Sequence, residues 1–330
     1  MRISRRSALA SAWAGALMIA LTGLPAMASD NYPAKPVRVV VPYAPGGTGD
    51  LVFRLITDPL GARLGQPFVM DYHAGAGGTI GVNAVAQATP DGYSIGVGSS
   101  DAVALAPHFY QKLGYSPLTD LAPIAIVAEM PLVLVVRSDS PFRTLAEFLQ
   151  AAGAKPGTIS YGTPGHGSSP HIMGELLSRN AGVELTHVPY KGTGPAIQDL
   201  LGGHIDAIVV SGFDSVPMEK AGRIHPLAVT GGQRYPLLAQ TPTFQESGIE
   251  GLNDLRVWFG LFAPSATPDA IIGRLSTEID SIISTPEFID RAAELGFVPV
   301  RATPGEVRQR VQDDVRHFAD MIRTTGVRPD

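Results

Sequence analysis

The sequence contains no cysteine, which excludes disulfide bonds, thiol catalysis and a lipid-modified cysteine anchor. Charged residues are also few, at 17% of 330, which disfavours a coiled coil or a disordered chain. Glycine and proline are abundant instead, with 37 and 28 residues, and 45% of the chain is hydrophobic. This length and apolar fraction can support a large core without disulfides, and together they predict a turn-rich α/β protein of two domains.

The N-terminus has the pattern of an export signal. Three arginines at positions 2, 5 and 6 precede an uncharged, mostly apolar stretch from Ala8 to Leu24, and Ala26-Met27-Ala28 is a small-x-small cleavage site. We therefore expect residues 1–28 to be a signal peptide and Ser29 to begin a mature periplasmic protein. A membrane anchor is the alternative, but the apolar stretch is short and interrupted by glycine; the arginine pair leaves the Sec and twin-arginine export routes both open.

The balance of charge is acidic. Cleavage would remove three of the 25 basic residues and none of the 30 acidic ones, which leaves 22 against 30 and a net charge of −8. A body with this charge argues against nucleic-acid binding.

Short β-rich runs alternate with helical stretches, and glycine-rich loops join them. Such runs lie at 37–41, 67–71 and 93–98, and after Pro131 the pattern starts again at 132–137, 159–162, 184–188 and 207–210. A strand-like apolar segment follows at 255–263. Repeated strand–loop–helix units predict parallel sheets with right-handed crossovers. Two series predict two α/β lobes with a hinge and a ligand cleft between them: lobe 1 from residues 29–131 and 254–330, and lobe 2 from residues 132–253. Thr144-x-x-Glu147 has the pattern of a capping box at the start of a helix. Three later helices, capped at Thr267, at Thr285 and at Thr303 with Glu306, are expected to return to lobe 1.

Two loops of lobe 1 have the residues of an anion site. Pro45-Gly46-Gly47-Thr48 and Gly75-Ala76-Gly77-Gly78-Thr79 each follow a predicted strand and precede a predicted helix. Ligands of open α/β sheets bind at the carboxyl ends of strands, where backbone N–H groups and helix N-termini favour anions. The alternative is that these glycines only make tight turns.

The loops of lobe 2 offer hydroxyls and one cation. Thr163, Gly167, Ser168 and Ser169 surround a strand-to-helix turn, although the hydroxyls could simply cap the helix that Pro170 begins.

Further along, Lys191 follows Tyr190 and Asp214 follows another strand. A solvated lysine and an ordinary aspartate cap are the alternatives. Trp258 and Phe259 are more typical of a core than of a ligand-stacking surface.

Signals of an enzyme or a metal site are weak. The sequence has no G-x-S-x-G elbow, H-E-x-x-H helix or phosphate-binding P-loop, and its eight histidines lack ligand spacing. His166 and Ser168 could suggest a base and a nucleophile, but residues so close on one loop usually point apart. We expect no enzyme, no cofactor and no metal.

The mature sequence resembles a known family along nearly its whole length, the solute receptors of tripartite tricarboxylate transporters, often called Bug receptors. The matching segments include Val41-Pro42-Tyr43-x-Pro45-Gly46-Gly47 with Asp50, Gly75-Ala76-Gly77-Gly78-x-Ile80-Gly81, Pro90-Asp91-Gly92-Tyr93, Tyr161-Gly162-Thr163, His187-Val188-Pro189-Tyr190-Lys191-Gly192, Asp199-Leu200-Leu201-Gly202-Gly203 and Trp258-Phe259-Gly260.

The resemblance implies a periplasmic binding-protein fold whose two lobes close on a ligand. It implies that one ligand carboxylate is held by Gly46, Gly47, Thr48, Gly77, Gly78 and Thr79. The residues that would face it from lobe 2 are Thr163, Gly167, Ser168, Tyr190 and Lys191, and Asp214 would help to select the ligand. Tyr43, Asp50, Ser99 and Ser169 complete the expected site.

Departures from the family pattern concern the identity of the ligand. Where the family commonly has Arg-Pro and Phe-Pro-Pro, this chain has His73-Ala74 and Tyr43-Ala44-Pro45. Residues 211–215 also depart from the family pattern. The resemblance thus implies a small carboxylate, whether a dicarboxylate, an aromatic acid or an amino acid, and a monomer that delivers it to a membrane permease. A sensor subunit for a signalling receptor and a hydrolase using Ser168 and His166 are the competing hypotheses.

Overall fold

The computed structural model describes residues 32–43, 45, 48–110 and 112–327, with the backbone alone at residues 48 and 49. The predicted signal peptide and the loop glycines Gly46 and Gly47 lie outside the described residues. The strands are β1 (Val37–Val41), β2 (Phe68–Tyr72), β3 (Ser94–Ser99), β4 (Leu121–Arg137), β5 (Ser160–Thr163), β6 (Thr186–Pro189), β7 (Ala207–Ser211), β8 (Ile224–Val229) and β9 (Arg256–Pro264). The helices are α1 (Thr48–Leu64), α2 (Thr79–Ala86), α3 (Ala106–Phe109), α4 (Leu145–Ala154), α5 (Ser169–Ala181), α6 (Thr193–Gly202), α7 (Gly212–Lys220), α8 (Asp269–Ile283), α9 (Pro286–Glu294) and α10 (Pro304–Thr325).

The strands form a mixed sheet in the order β2-β1-β3-β9-β4-β7-β5-β6, with β8 also paired to β4. Pairs joined by helical crossovers are parallel, as the sequence predicts: β1 with β2 and β3, and β5 with β6 and β7. The pairs at the centre are antiparallel, because β9 and β4 are the two strands that carry the chain between the lobes.

The long strand β4 connects the two lobes. Its 17 residues are buried except the last; residues up to Pro131 pair with β9, and those from Leu132 pair with β7 and β8. The sequence predicts a strand only from residue 132, because prolines at 123 and 131 interrupt the earlier apolar run. The structure keeps both prolines in β4, with a register shift directly after Pro123, where a missing N–H is tolerated.

Each lobe has apolar side chains on both faces of its part of the sheet. In lobe 1 one face packs on α1 and α8 through residues such as Phe53 and Leu275, and the opposite face packs on α2 and α10. In lobe 2 the two faces pack on α4 and α5 and on α6 and α7. Apolar burial on two faces is typical of sheets with helical crossovers. Because helices cover both faces, a ligand is expected at the carboxyl ends of the strands.

The last helix touches both lobes. Val307 and Val311 pack with the lobe 1 core, whereas Phe318 belongs to a buried cluster of lobe 2. The indole Nε1 of the fully buried Trp258 donates a hydrogen bond to Asp314 at 2.6 Å, which fixes α10 to β9. The helices α8 and α9 pack on lobe 1 as expected, and the exact lobe boundaries stay a prediction.

The helix starts agree largely with the sequence. The capping boxes Thr144–Glu147 and Thr303–Glu306 are confirmed, and the Thr285 side chain accepts a hydrogen bond from the amide of Phe288. At α8 the prediction of a capping Thr267 is wrong, because the N-cap position is occupied by Pro268 and no side chain caps it. Among the described helices, none is long and apolar enough to cross a membrane.

Candidate functional site

A cleft of about 710 Å3 lies between the lobes. Its polar wall is made by residues that follow the carboxyl ends of five strands: residues 74–78 after β2, Ser99 and Asp101 at β3, Pro164 and Ser168 after β5, residues 191–193 after β6, and Ser211 and Asp214 at β7. Leu132, Val210, Val257 and Phe259 give an apolar floor at the hinge strands and β7. The cleft therefore lies where the alternating strands and loops predict a ligand site, at the carboxyl ends of the strands.

The loop at 75–78 lines the cleft and contains left-handed conformations. Gly77 and Gly78 have φ of 63° and 97°, and Ala76 also has a positive φ, of 46°. At Gly78 a Cβ would lie 3.5 Å from the Tyr43 hydroxyl, which is an ordinary contact, so it is the backbone conformation that favours glycine there. The hydroxyl of Thr79 donates to the Ala76 carbonyl at 2.9 Å, so this predicted site residue closes the turn and is not part of the cleft lining.

Tyr43 lines the aromatic side of the cleft, together with Phe259. Its ring packs edge to face on Phe259, with ring centres 5.8 Å apart. Burial raises the pKa of Tyr43 well above its usual range, and a hydrogen bond with Ser99 opposes the shift. The phenol therefore stays neutral and can donate a hydrogen bond at physiological pH.

Ser168 has two roles in lobe 2. As the N-cap of α5, its hydroxyl oxygen accepts the amide of His171 at 3.4 Å and its hydroxyl donates to the Gly165 carbonyl at 2.8 Å. It also lines the cleft, so the capping alternative and the site prediction hold together. Because the hydroxyl donates to a carbonyl and not to a histidine, the geometry disfavours a nucleophile activated by His166.

Three other predicted residues of lobe 2 lie behind this wall. The Thr163 hydroxyl is buried and hydrogen-bonds His187 Nε2 at 2.7 Å. The Gly167 amide donates a hydrogen bond to His171 Nδ1 at 3.1 Å. The Tyr190 hydroxyl donates to Asp199 at 2.7 Å. Burial, and after it this hydrogen bond, raises the pKa of Tyr190 to about 12. These groups position the loops and do not line the cleft.

Lys191 is the cation of the cleft. Its side chain is exposed, lines the cleft and forms no ion pair within the part of the chain that the structure describes. An unpaired ammonium beside a glycine loop is suited to a ligand carboxylate.

Two carboxyl groups also face the cleft. Burial raises the pKa of Asp214 to about 6, and a hydrogen bond from the Ser211 hydroxyl at 2.9 Å opposes the shift. Burial also raises the pKa of Asp101, which accepts hydrogen bonds from the amide of Ser169 at 3.2 Å and from its hydroxyl. Ser169 itself is fully buried behind the cleft surface.

Three polar residues of the cleft lining were not predicted from the sequence: Asp101, Thr193 and Ser211. Asp101 stands two residues after the end of β3, so the same strand-end rule that singled out Ser99 could have found it. Asp50, by contrast, is buried in α1, where its carboxylate pairs with Arg54 at 3.0 Å and accepts the Tyr72 hydroxyl at 2.7 Å. Thr48 is the first residue of α1, and its side chain is not described.

The described residues at the cleft include seven of the predicted ones: Tyr43, Gly77, Gly78, Ser99, Ser168, Lys191 and Asp214. Trp258 is a core residue, as the sequence indicates, whereas Phe259 both packs in the core and lines the cleft. Within the described ranges no group of three or more His, Asp or Glu side chains is arranged to hold a metal ion.

The sequence model of the tripartite tricarboxylate transporter family receptors matches residues 52–327. BugT of Bordetella pertussis is 32% identical over 318 residues, which cover 94% of this chain and 96% of BugT. Among solved structures, Rpa4515 of R. palustris with adipate is 33% identical with a TM-score of 0.84, and it aligns with 91% of this chain over its whole length. MatC of Rhodopseudomonas palustris with bound malate is also 33% identical, with a TM-score of 0.79, and its whole length aligns with 88% of this chain.

Proposed function

From the premise that this chain belongs to the tripartite tricarboxylate transporter receptor family, we propose that it captures a small carboxylate in the periplasm and delivers it to the membrane permease of such a transporter. The family and its structural neighbours are solute-binding proteins, two of them solved with adipate and malate. The proposal gives this chain the same kind of role, in which it binds a ligand between its lobes, closes on it and releases it without covalent chemistry.

One observation carries the proposal. Lys191 of lobe 2 and the glycine loop 75–78 of lobe 1 both line the cleft, and Lys191 forms no ion pair with the described residues. The Gly78 amide already donates to the Gly75 carbonyl at 2.9 Å, so the other N–H groups of the loop are the candidates for a ligand. A carboxylate bound by them and by the Lys191 ammonium would contact both lobes, so its binding free energy would favour the closed arrangement. The predicted partner loop at Gly46 and Gly47 would extend this cradle.

The direct test is a thermal-shift and calorimetric screen of the chain from Ser29, freed of co-purified ligand by unfolding and refolding. Aliphatic dicarboxylates, aromatic acids and amino acids are the probes, and their amides, which lack the carboxylate charge, are the controls. A ligand at 100 times its dissociation constant stabilises the folded state by about 2.7 kcal/mol, a clear increase in Tm. Stabilisation by acids but not by their amides would support the carboxylate site, whereas no response to any acid would contradict it.

The delivery step needs a separate test. Deletion of the gene should abolish uptake of the identified acid, and a chain from Ser29 without residues 1–28 should fail to restore it, since it would stay inside the cell. Normal uptake in the deletion strain would contradict the transport role and favour the sensor alternative.

A further inference from the structure

Asp101 and Asp214 bring two carboxyl groups to one cleft from opposite lobes. Asp101 follows β3 and Asp214 follows β7, and both line the cleft. Neither forms an ion pair with a lysine, arginine or histidine of the described residues; their side-chain hydrogen-bond partners are the serines Ser169 and Ser211. The cleft thus contains two acids that have no counter-ion among the described residues.

Without a ligand, the two ionised carboxyl groups in the cleft destabilise the protein. Partly buried carboxylates without a cation lose hydration, and this loss raises the pKa of both groups. The causes of the Asp214 shift are burial and Ser211 alone, and the other charged groups at the cleft are Asp101 and Lys191. A cation that entered the cleft would remove this cost.

The same cleft also contains a positive charge, the Lys191 ammonium, that forms no ion pair with the described residues. Lys191 follows β6, at one end of the sheet order, and the loop 75–78 follows β2, at the other. Asp101 and Asp214 follow β3 and β7, which flank the central pair β9 and β4. The acids therefore lie toward the hinge, and the groups suited to a carboxylate belong to the outer strands.

We propose that the ligand is zwitterionic, with a carboxylate held by Lys191 and the loop 75–78 and a cationic nitrogen held by Asp214 and Asp101. This inference rests on the proposed receptor function and narrows its substrate class to amino acids and related amino carboxylates. A dicarboxylate would place a second anion beside two acids, with one lysine as the only basic side chain among the described cleft residues.

The test compares ligands that differ in a single group. β-Alanine is paired with succinate, 4-aminobutyrate with glutarate, and 6-aminohexanoate with pimelate, since each pair shares its methylene spacer. L-Leucine is paired with 4-methylpentanoate, which lacks the amine. Calorimetry at pH 7.5 should show the best amino ligand binding at least about tenfold more tightly than its partner.

The variant Asp214→Asn identifies the role of the acid. We expect it to lower affinity for the amino ligand about 10- to 100-fold and to leave the affinity for the deaminated acid unchanged or higher. Glu219→Gln is the matched control, because it removes one acidic charge from the exposed side of the same helix, α7. An unchanged Tm in the ligand-free variants would show that both remain folded.

Proton exchange gives an independent readout. At pH 6 an ammonium should displace the proton of Asp214, so calorimetry in buffers of different ionisation enthalpy should show proton release. A dicarboxylate that binds more tightly than its amino partner and takes up a proton would overturn the zwitterion proposal and leave the receptor function standing. If no acid of either series binds, and no aromatic acid binds either, the receptor proposal itself is wrong.

Discussion

Asp101 accepts two hydrogen bonds from Ser169, one from the backbone amide at 3.2 Å and one from the hydroxyl. Asp101 follows β3 of lobe 1, and Ser169 is the first residue of α5 in lobe 2. The pair therefore bridges the two lobes beside the cleft. Any opening of the cleft that separates β3 from α5 must break both bonds, so this contact contributes to the free-energy difference between open and closed states.

Replacement of Ser169 by alanine should weaken closure. The variant loses the hydroxyl donor to Asp101 while α5 keeps its N-cap at Ser168. A hydrogen bond to a charged group contributes about 1.5 kcal/mol or more, so we expect at least roughly tenfold weaker ligand binding, and a larger radius of gyration in solution scattering. Ser178→Ala is the control, because that buried hydroxyl on the same helix has no hydrogen-bond partner. Wild-type affinity in Ser169→Ala would show that the bridge does not contribute to closure.

Lys191→Met should remove the cation that we assign to the ligand carboxylate. Methionine keeps most of the length and apolar volume of the stem, so the loss of affinity reports on the charge. We expect binding to weaken about 10- to 100-fold and to become less sensitive to salt. Lys220→Met, at the exposed end of α7, changes the net charge equally without touching the cleft. Equal affinities in the two variants would argue against the carboxylate position.

His187 should make the protein less stable in acid. Its ring stacks on His171 with centres 4.0 Å apart, and burial, followed by the charge of His171, lowers the pKa of His187 from 6.5 to about 4. A lowered histidine pKa means that the folded state favours the neutral ring, so the stability it gives is present above pH 6.5 and is lost as pH falls toward 4. The full shift corresponds to about 3 kcal/mol, and we expect about 1–2 kcal/mol because the ring is only half-buried.

The measurement is urea unfolding at several values between pH 7.5 and pH 4.5. The variant His187→Gln retains a polar group for the Thr163 hydroxyl but does not titrate. The difference in unfolding free energy between wild type and variant should therefore change with pH in favour of the variant on acidification. A difference that is constant across this range would mean that His187 titrates normally in the folded protein.

Two helical glycines should respond oppositely to alanine. A Cβ at Gly174 in α5 would overlap the ring of Tyr161, which is fully buried and hydrogen-bonded to Glu175 at 2.8 Å. Gly273 in α8 is exposed, and its Cβ would meet nothing within 4 Å. We expect Gly174→Ala to destabilise the fold by about 1–3 kcal/mol through overpacking, and Gly273→Ala to stabilise it by about 0.5–1 kcal/mol through helix propensity. Thermal unfolding of both variants tests this, and equal Tm changes would contradict the packing at Tyr161.

The alternation of strands, glycine loops and helices was readable from the sequence because each signal is local. The capping box Thr144–Glu147 and the strand Val37–Val41 depend on residues close together in the chain, so they agree with the structure. The strand β4 was only half predicted. Local proline preferences argue against residues 121–131, whereas pairing with β9 and complete burial outweigh them.

Local sequence patterns predict the class of fold and place candidate anion-binding residues at the ends of strands. The packing of the two lobes determines which of these residues line the cleft. Thr79 and Thr163 were equivalent to Ser168 as sequence signals, yet of the three only Ser168 lines the cleft. The meeting of Asp101 with Ser169, and of two acids with one lysine, brings together residues far apart in the chain. Sequence patterns encode local conformation and burial, whereas the charge balance of a cleft depends on how two lobes are packed against each other.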